Sequence, residues 1–123
     1  MTTYEDLKNN MFIIIYMSFL KNYKDFITPE EYLKTARRYA KKNNYDPKKL
    51  EFANDKVHKL IYDGKVKFGS CNNLDFIIYQ SIDKNLALMH RDRYLKRTEK
   101  IRGDWAKNPL SKNNMSRKII WMA

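Results

Sequence analysis

Glycine and proline are scarce in this chain, three of each in 123 residues, and cysteine occurs once. So little of either excludes collagen-like and linker-like chains, whose composition depends on them. A single cysteine, Cys71, excludes an internal disulfide and points to a reducing compartment. It is expected as a small apolar side chain inside the fold rather than as a reactive thiol. Acidic residues are outnumbered, 14 against 25 Lys and Arg, for a formal net charge of +11. No apolar run is long: residues 11–20 (MFIIIYMSFL) are ten residues, about half of what a bilayer-crossing helix needs. That run also lacks the basic flank and small-residue cleavage site of a signal peptide. No glycine-rich phosphate loop is present.

What remains is globular in character. Apolar residues make up 43% of the chain and aromatic residues 14%, enough for one hydrophobic core in a single domain, 1–123. The charge is uneven. Between Lys84 and Lys118 there are eleven Lys and Arg against three acids, a local excess of +8. Such a field favours polyanions: nucleic acid, an anionic membrane face or an acidic protein.

Patterning predicts an α+β domain with about three helices and a β-hairpin or small antiparallel sheet. Thr2 or Thr3, with Glu5 or Asp6, caps a first helix. Its 11–20 segment is apolar on every side except Ser18, which suits a surrounded core helix, a partner-docking helix or a buried strand. Thr28-Pro29-Glu30-Glu31 is a helix start, with Thr as N-cap, Pro at the first helical position and Glu31 as reciprocal cap. The helix places Tyr32, Leu33, Ala36, Tyr39 and Ala40 on one face, and Lys34, Arg37, Arg38, Lys41 and Lys42 on the other. Asn43-Asn44 and Asp46-Pro47 stop it. The domain therefore divides into an apolar N-terminal helix, 1–27, and a basic α+β core, 28–121.

KVHKLIY, Asp63-Gly64 and KVKFG read as two strands joined by a type I′ turn, with Leu50-Glu51-Phe52 as a short preceding strand. Alternation puts Val57, Lys59 and Ile61 on one side and His58, Leu60 and Tyr62 on the other. LDFIIYQSI (74–82) suits either a strand or a buried helical turn. Asp83 caps a helix from about Lys84 to Lys100, with Ala87, Leu88, Tyr94, Leu95 and Ile101 as its apolar contacts. Pro109 to Asn114 reads as loop, and Ser116 caps a last short element that returns Ile119, Ile120 and Trp121 to the core.

Several short motifs occur in fixed order: Tyr45-Asp46-Pro47-Lys48-Lys49-Leu50, His58-Lys59-Leu60-Ile61-Tyr62-Asp63-Gly64, Lys67-Phe68-Gly69 and Asp75-Phe76-Ile77-Ile78-Tyr79. Tyr94-Leu95-x-Arg97, Gly103-Asp104-Trp105 and Leu110-Ser111-x-Asn113-Asn114-x-Ser116-x-x-Ile119-Ile120-Trp121 follow. With these, residues 30–121 resemble a group of small uncharacterised proteins of nucleocytoplasmic large DNA viruses, the giant viruses of algae and amoebae. The chain departs from that pattern at Ser70–Asn73, where Gly-rich or Lys/Arg-Gly dipeptides are usual, and residues 1–27 fall outside it. The resemblance implies a virion setting, with host cytoplasm or virus factory before assembly. It carries over no active site.

No catalytic constellation is visible. His58 and His90 stand alone on separate elements, so no metal site, cofactor or small-molecule substrate is expected. A Cys71 thiolate paired with His58 or His90 lacks the surroundings that would lower its pKa. Asp63, Asp75 and Asp83 form a carboxylate cluster only if the fold brings them together. The expectation is a non-enzymatic structural virion component, a minor capsid or core-associated protein. Phe12, Ile13, Ile14, Tyr16 and Met17 would dock on other virion proteins or a second copy. The alternative is a nucleic-acid-binding accessory that contacts DNA or RNA phosphates. On either reading Arg37, Arg38, Lys41, Arg91, Arg93, Lys96, Arg97, Lys100 and Arg102 meet the anionic partner.

Overall fold

A computed structural model of the chain describes residues 26–122. The expected N-terminal helix and its docking residues, Phe12 to Met17, lie outside the described residues. Helix α1, Pro29–Lys42, begins where the capping chemistry predicts. The Thr28 Oγ1 accepts the Glu31 N–H at 3.2 Å, and Pro29 occupies the first turn, where its missing N–H costs nothing. Tyr32, Ala36, Tyr39 and Ala40 are buried on one face. The helix ends at Asn43; Asn44 turns left-handed (φ 68°), and the Tyr45 N–H returns to the Ala40 carbonyl at 2.9 Å.

A 3-10 turn, Pro47–Lys49, leads into an antiparallel sheet of order β1-β2-β3: β1 Leu50–Phe52, β2 His58–Tyr62 and β3 Val66–Ser70. Asp63 (φ 54°) and Gly64 (φ 64°) make the expected turn, closed by the Lys65 N–H on the Tyr62 carbonyl at 3.0 Å. Register pairs Tyr62 with Val66 and Leu60 with Phe68, so Lys65 is an extra loop residue beyond the two of the turn. Leu50, Leu60, Tyr62 and Phe68 supply the core face of the sheet.

The ambiguous stretch 74–82 resolves as a helix, α2, Phe76–Ile82, because the Asp75 side chain accepts the Ile78 N–H and caps it. Asp83, extended at φ −159°, ends α2 and caps α3, Lys84–Glu99. Of the apolar contacts expected from α3, Ala87 is buried, but Leu88 and Ile101 are 43% and 48% exposed. The C-terminal element starts five residues earlier than predicted. Ser111, not Ser116, is the N-cap of α4, Lys112–Met115, which runs on into a π-type turn, Ser116–Ile120. Ser116 is spent elsewhere, bonding the Tyr94 hydroxyl at 2.9 Å. Ile119, Ile120 and Trp121 are buried as expected.

The described residues thus form a small α+β domain of four helices and a three-stranded sheet. Helix α1 packs on the C-terminal turn, α2 and β1; α2 lies on α3; α4 and the C-terminal turn lie on β3.

Candidate functional site

Along α3, His90, Arg93, Tyr94, Arg97 and, just past its end, Ile101 recur at intervals of three and four, so they share one face. That face is one wall of a cleft of ≈ 830 Å³. The cleft is also lined by Ser70 at the end of β3, by Asn72 and Asn73 in the loop after it, and by Lys112, Asn113, Ile120 and Trp121. The floor is a ladder of rings. His90 stacks on Tyr79 with centroids 4.0 Å apart, and Tyr94 stacks on Trp121 at 4.2 Å. Tyr79 and Trp121, 6.3 Å apart, join the two pairs.

A buried ion pair anchors the loop wall. Lys59 and Asp75 are each 1% exposed in their side chains, with Nζ and Oδ2 3.1 Å apart. The Asp75 Oδ2 also accepts the Tyr32 hydroxyl at 2.6 Å, and the Lys59 Nζ also donates to the Asn73 carbonyl. One carboxylate therefore ties α1, β2 and the start of α2 together, while the lysine fixes the wall residue Asn73. Alternation had grouped Lys59 with Val57 and Ile61; Val57 is exposed, whereas Lys59 is buried because Asp75 meets it there.

Cations elsewhere are divided between structure and surface. The Arg117 Nη1 donates to the Leu95 carbonyl at 2.8 Å and the Thr98 hydroxyl at 2.5 Å, and its guanidinium lies 5.1 Å above the Trp105 ring. It clamps the C-terminal turn to α3. Lys112 is held at the cleft rim by the other histidine. The His58 Nε2 faces the Lys112 Nζ at 3.0 Å and its Nδ1 faces the Asp55 Oδ2 at 3.1 Å, so a neutral ring donates from Nδ1 and accepts at Nε2. The backbone N–H and ring of His58 hold the Asp55 carboxyl well below the usual carboxylate range, with help from Val57 and Lys67.

Of the predicted contact residues, Arg93 and Arg97 are exposed on the cleft. No carboxylate of the described residues lies within 4.0 Å of Arg91, Arg93, Arg97 or Lys100. Arg91 is half-buried over the Phe76 ring at 5.5 Å, and Lys96 pairs with Asp92 at 3.1 Å, both outside the cleft. Lys100 and Arg102 are exposed beyond the helix end. On α1, Arg38 and Lys41 are exposed, while the Arg37 Nε is committed to the Leu50 carbonyl at 3.0 Å. Lys112 and the asparagines of the loop wall were not predicted. They come from segments without periodicity, and only the α3 spacing hinted at a shared face.

Electrostatically the cleft is positive. Burial, with Arg93 nearby, pushes His90 below its ordinary value, leaving it neutral at pH 7. Burial also raises the Tyr79 and Tyr94 phenols. The charge thus comes from Arg93, Arg97 and Lys112, because Lys59 and Asp75 compensate each other. Asp63, Asp75 and Asp83 do not converge: Asp63 sits in the hairpin turn and the other two are caps. Among the described residues no group of three His, Cys, Asp or Glu is placed to hold a metal, and no helix is long and apolar enough to cross a membrane. Burial raises the Cys71 thiol above its ordinary value, which disfavours the thiolate.

No family model, curated protein or solved structure matches this chain.

Proposed function

We propose that this protein is a non-enzymatic nucleic-acid-binding accessory that contacts phosphates through the cleft face of α3. One observation carries the reading: Arg93 and Arg97, one turn apart, open with Lys112 on a single cleft and have no carboxylate of the described residues within 4.0 Å. Guanidinium groups one turn apart suit adjacent phosphate oxygens, and their planar forks favour that geometry over a lone lysine. The test is affinity against salt concentration. Binding should weaken steeply with salt, and Arg93→Ala with Arg97→Ala should flatten the log–log slope by about 2 and weaken all sequences alike. Failure of both duplex and single strands to bind at low salt would refute the reading.

A second reading, a structural component of a large DNA virus particle, draws on the giant-virus resemblance and on the apolar run 11–20. There the basic face would meet an anionic neighbour while Phe12 to Met17 dock on another virion protein or a second copy. Quantitative proteomics of purified particles, with and without nuclease, separates the two. A stoichiometric protein retained after nuclease favours the particle; one released by it favours nucleic acid.

A further inference from the structure

The cleft has a shape as well as a charge, and the shape selects among nucleic acids. Its ≈ 830 Å³ lies within the usual range for small-molecule pockets, about 300–1,000 Å³, and its walls are concave. A duplex is a convex, stacked cylinder whose phosphates touch outward-facing cations without entering such a space. An unpaired nucleotide, free of stack and partner, can enter.

The groups around the cleft are arranged for the two ends of such a unit. Arg93 and Arg97 lie along one wall, with Lys112 at the rim. Lining the same cleft, the exposed Asn72 and Asn73 side-chain amides make no hydrogen bond among the described residues, although their backbones are engaged. A free amide offers a donor and an acceptor together, which matches the mixed edge of a nucleobase and wastes its donor on a phosphate. Ile101, 48% exposed, supplies uncovered apolar surface at the cleft. The Arg97 guanidinium already lies 5.4 Å above the Tyr94 ring, leaving its other side for a base plane.

We infer that the cleft receives an unpaired nucleotide of a single strand, with its phosphate on Arg93, Arg97 and Lys112 and its base against Asn72 and Asn73. The inference rests on the nucleic-acid reading and deepens it: the preferred partner is single-stranded, and the asparagine wall, not only the cations, recognises it.

The experiment is fluorescence anisotropy on the full chain, with a labelled short single strand and a blunt duplex of the same sequence at low salt. The wild type should bind the single strand about tenfold or more tightly than the duplex. Asn72→Ala with Asn73→Ala removes both amides without changing charge; it should reduce that preference while the arginine-dependent, salt-sensitive duplex binding persists. Uridine monophosphate should displace the labelled single strand more effectively than inorganic phosphate at equal ionic strength. Equal wild-type affinity for both forms, each lost in the Arg93→Ala, Arg97→Ala variant, overturns the inference and leaves the broader reading standing. A folded Asn72→Ala, Asn73→Ala protein that keeps its full preference also overturns it. Should that variant fail to fold by circular dichroism, the wild-type ratio and the displacement decide. No binding of either form overturns both.

Discussion

Replacing Lys59 by methionine removes a buried charge while nearly preserving side-chain volume, so what it measures is electrostatic. In the folded protein the Lys59 Nζ serves the Asp75 Oδ2 at 3.1 Å and the Asn73 carbonyl, with both charged side chains 1% exposed. Without the ammonium, Asp75 keeps the Tyr32 hydroxyl and the Ile78 N–H but loses its counter-charge. Breaking a buried pair from one side costs about 3–5 kcal/mol. Domains of this kind have about 5–15 kcal/mol of total stability. With a urea m-value of about 2 kcal/mol/M, the midpoint should fall by roughly 2 M. The decisive comparison is the double variant Lys59→Met, Asp75→Asn. The substituted amide carries no charge and can still cap α2, so the double variant should regain about 2 kcal/mol or more over Lys59→Met alone. If the two substitutions simply add, or if Lys59→Met costs under about 1 kcal/mol, an uncompensated buried charge is not what the pair prevents.

Gly69 interrupts β3 at φ 79°, and a Cβ there would meet the Ile120 Cδ1 at 3.0 Å. Gly69→Ala should cost about 1–3 kcal/mol and shift the fluorescence of the neighbouring Trp121. Gly64→Ala, with nothing within 4 Å of its Cβ, should cost only the left-handed penalty of about 1 kcal/mol and leave that emission unchanged. His90 gives a pH signature. Its folded pKa lies below the ordinary 6.5, so the unfolded chain takes the proton first. The stability it contributes is in place above that value and is lost as pH falls through the folded pKa. Thermal melts should therefore show a steeper loss from pH 7 to 5 in the wild type than in His90→Phe, which keeps a ring on Tyr79. Over the same range nucleic-acid affinity should rise in the wild type, because protonation adds a cation to the cleft. Parallel melting curves for the two proteins would contradict that assignment.

Elements whose signal is local were legible in the residues. Thr28-Pro29 opens α1, Asp63-Gly64 turns the hairpin, and Asp83 caps α3, because each acts on backbone groups within three residues. Where two local signals compete, the residues alone do not decide. Ile77, Ile78 and Tyr79 suit a strand as well as a helix, and the choice falls to the Asp75 carboxylate on the Ile78 N–H. Ser111 and Ser116 are both plausible caps by type. Ser111 takes the role with the Asn114 N–H at 3.2 Å, while Tyr94, distant in sequence, claims Ser116.

The site follows the same logic one level up. A basic helix sends its cations in every direction, and net charge says nothing about which of them face a wall. Arg91 covers Phe76, Lys96 pairs with Asp92, and Arg117, equally basic in sequence, is spent as an internal clamp. Arg93 and Arg97 differ from these in lining the cleft that Asn72 and Asn73 also line. That loop is held where it is by Lys59 and Asp75, sixteen residues apart, through contacts no periodicity encodes. Loosening the pair should therefore weaken single-strand binding even though neither side chain is exposed enough to touch the ligand. A folded Lys59→Met protein that retained full single-strand affinity would show that the arginines act alone, with no need of Asn72 and Asn73.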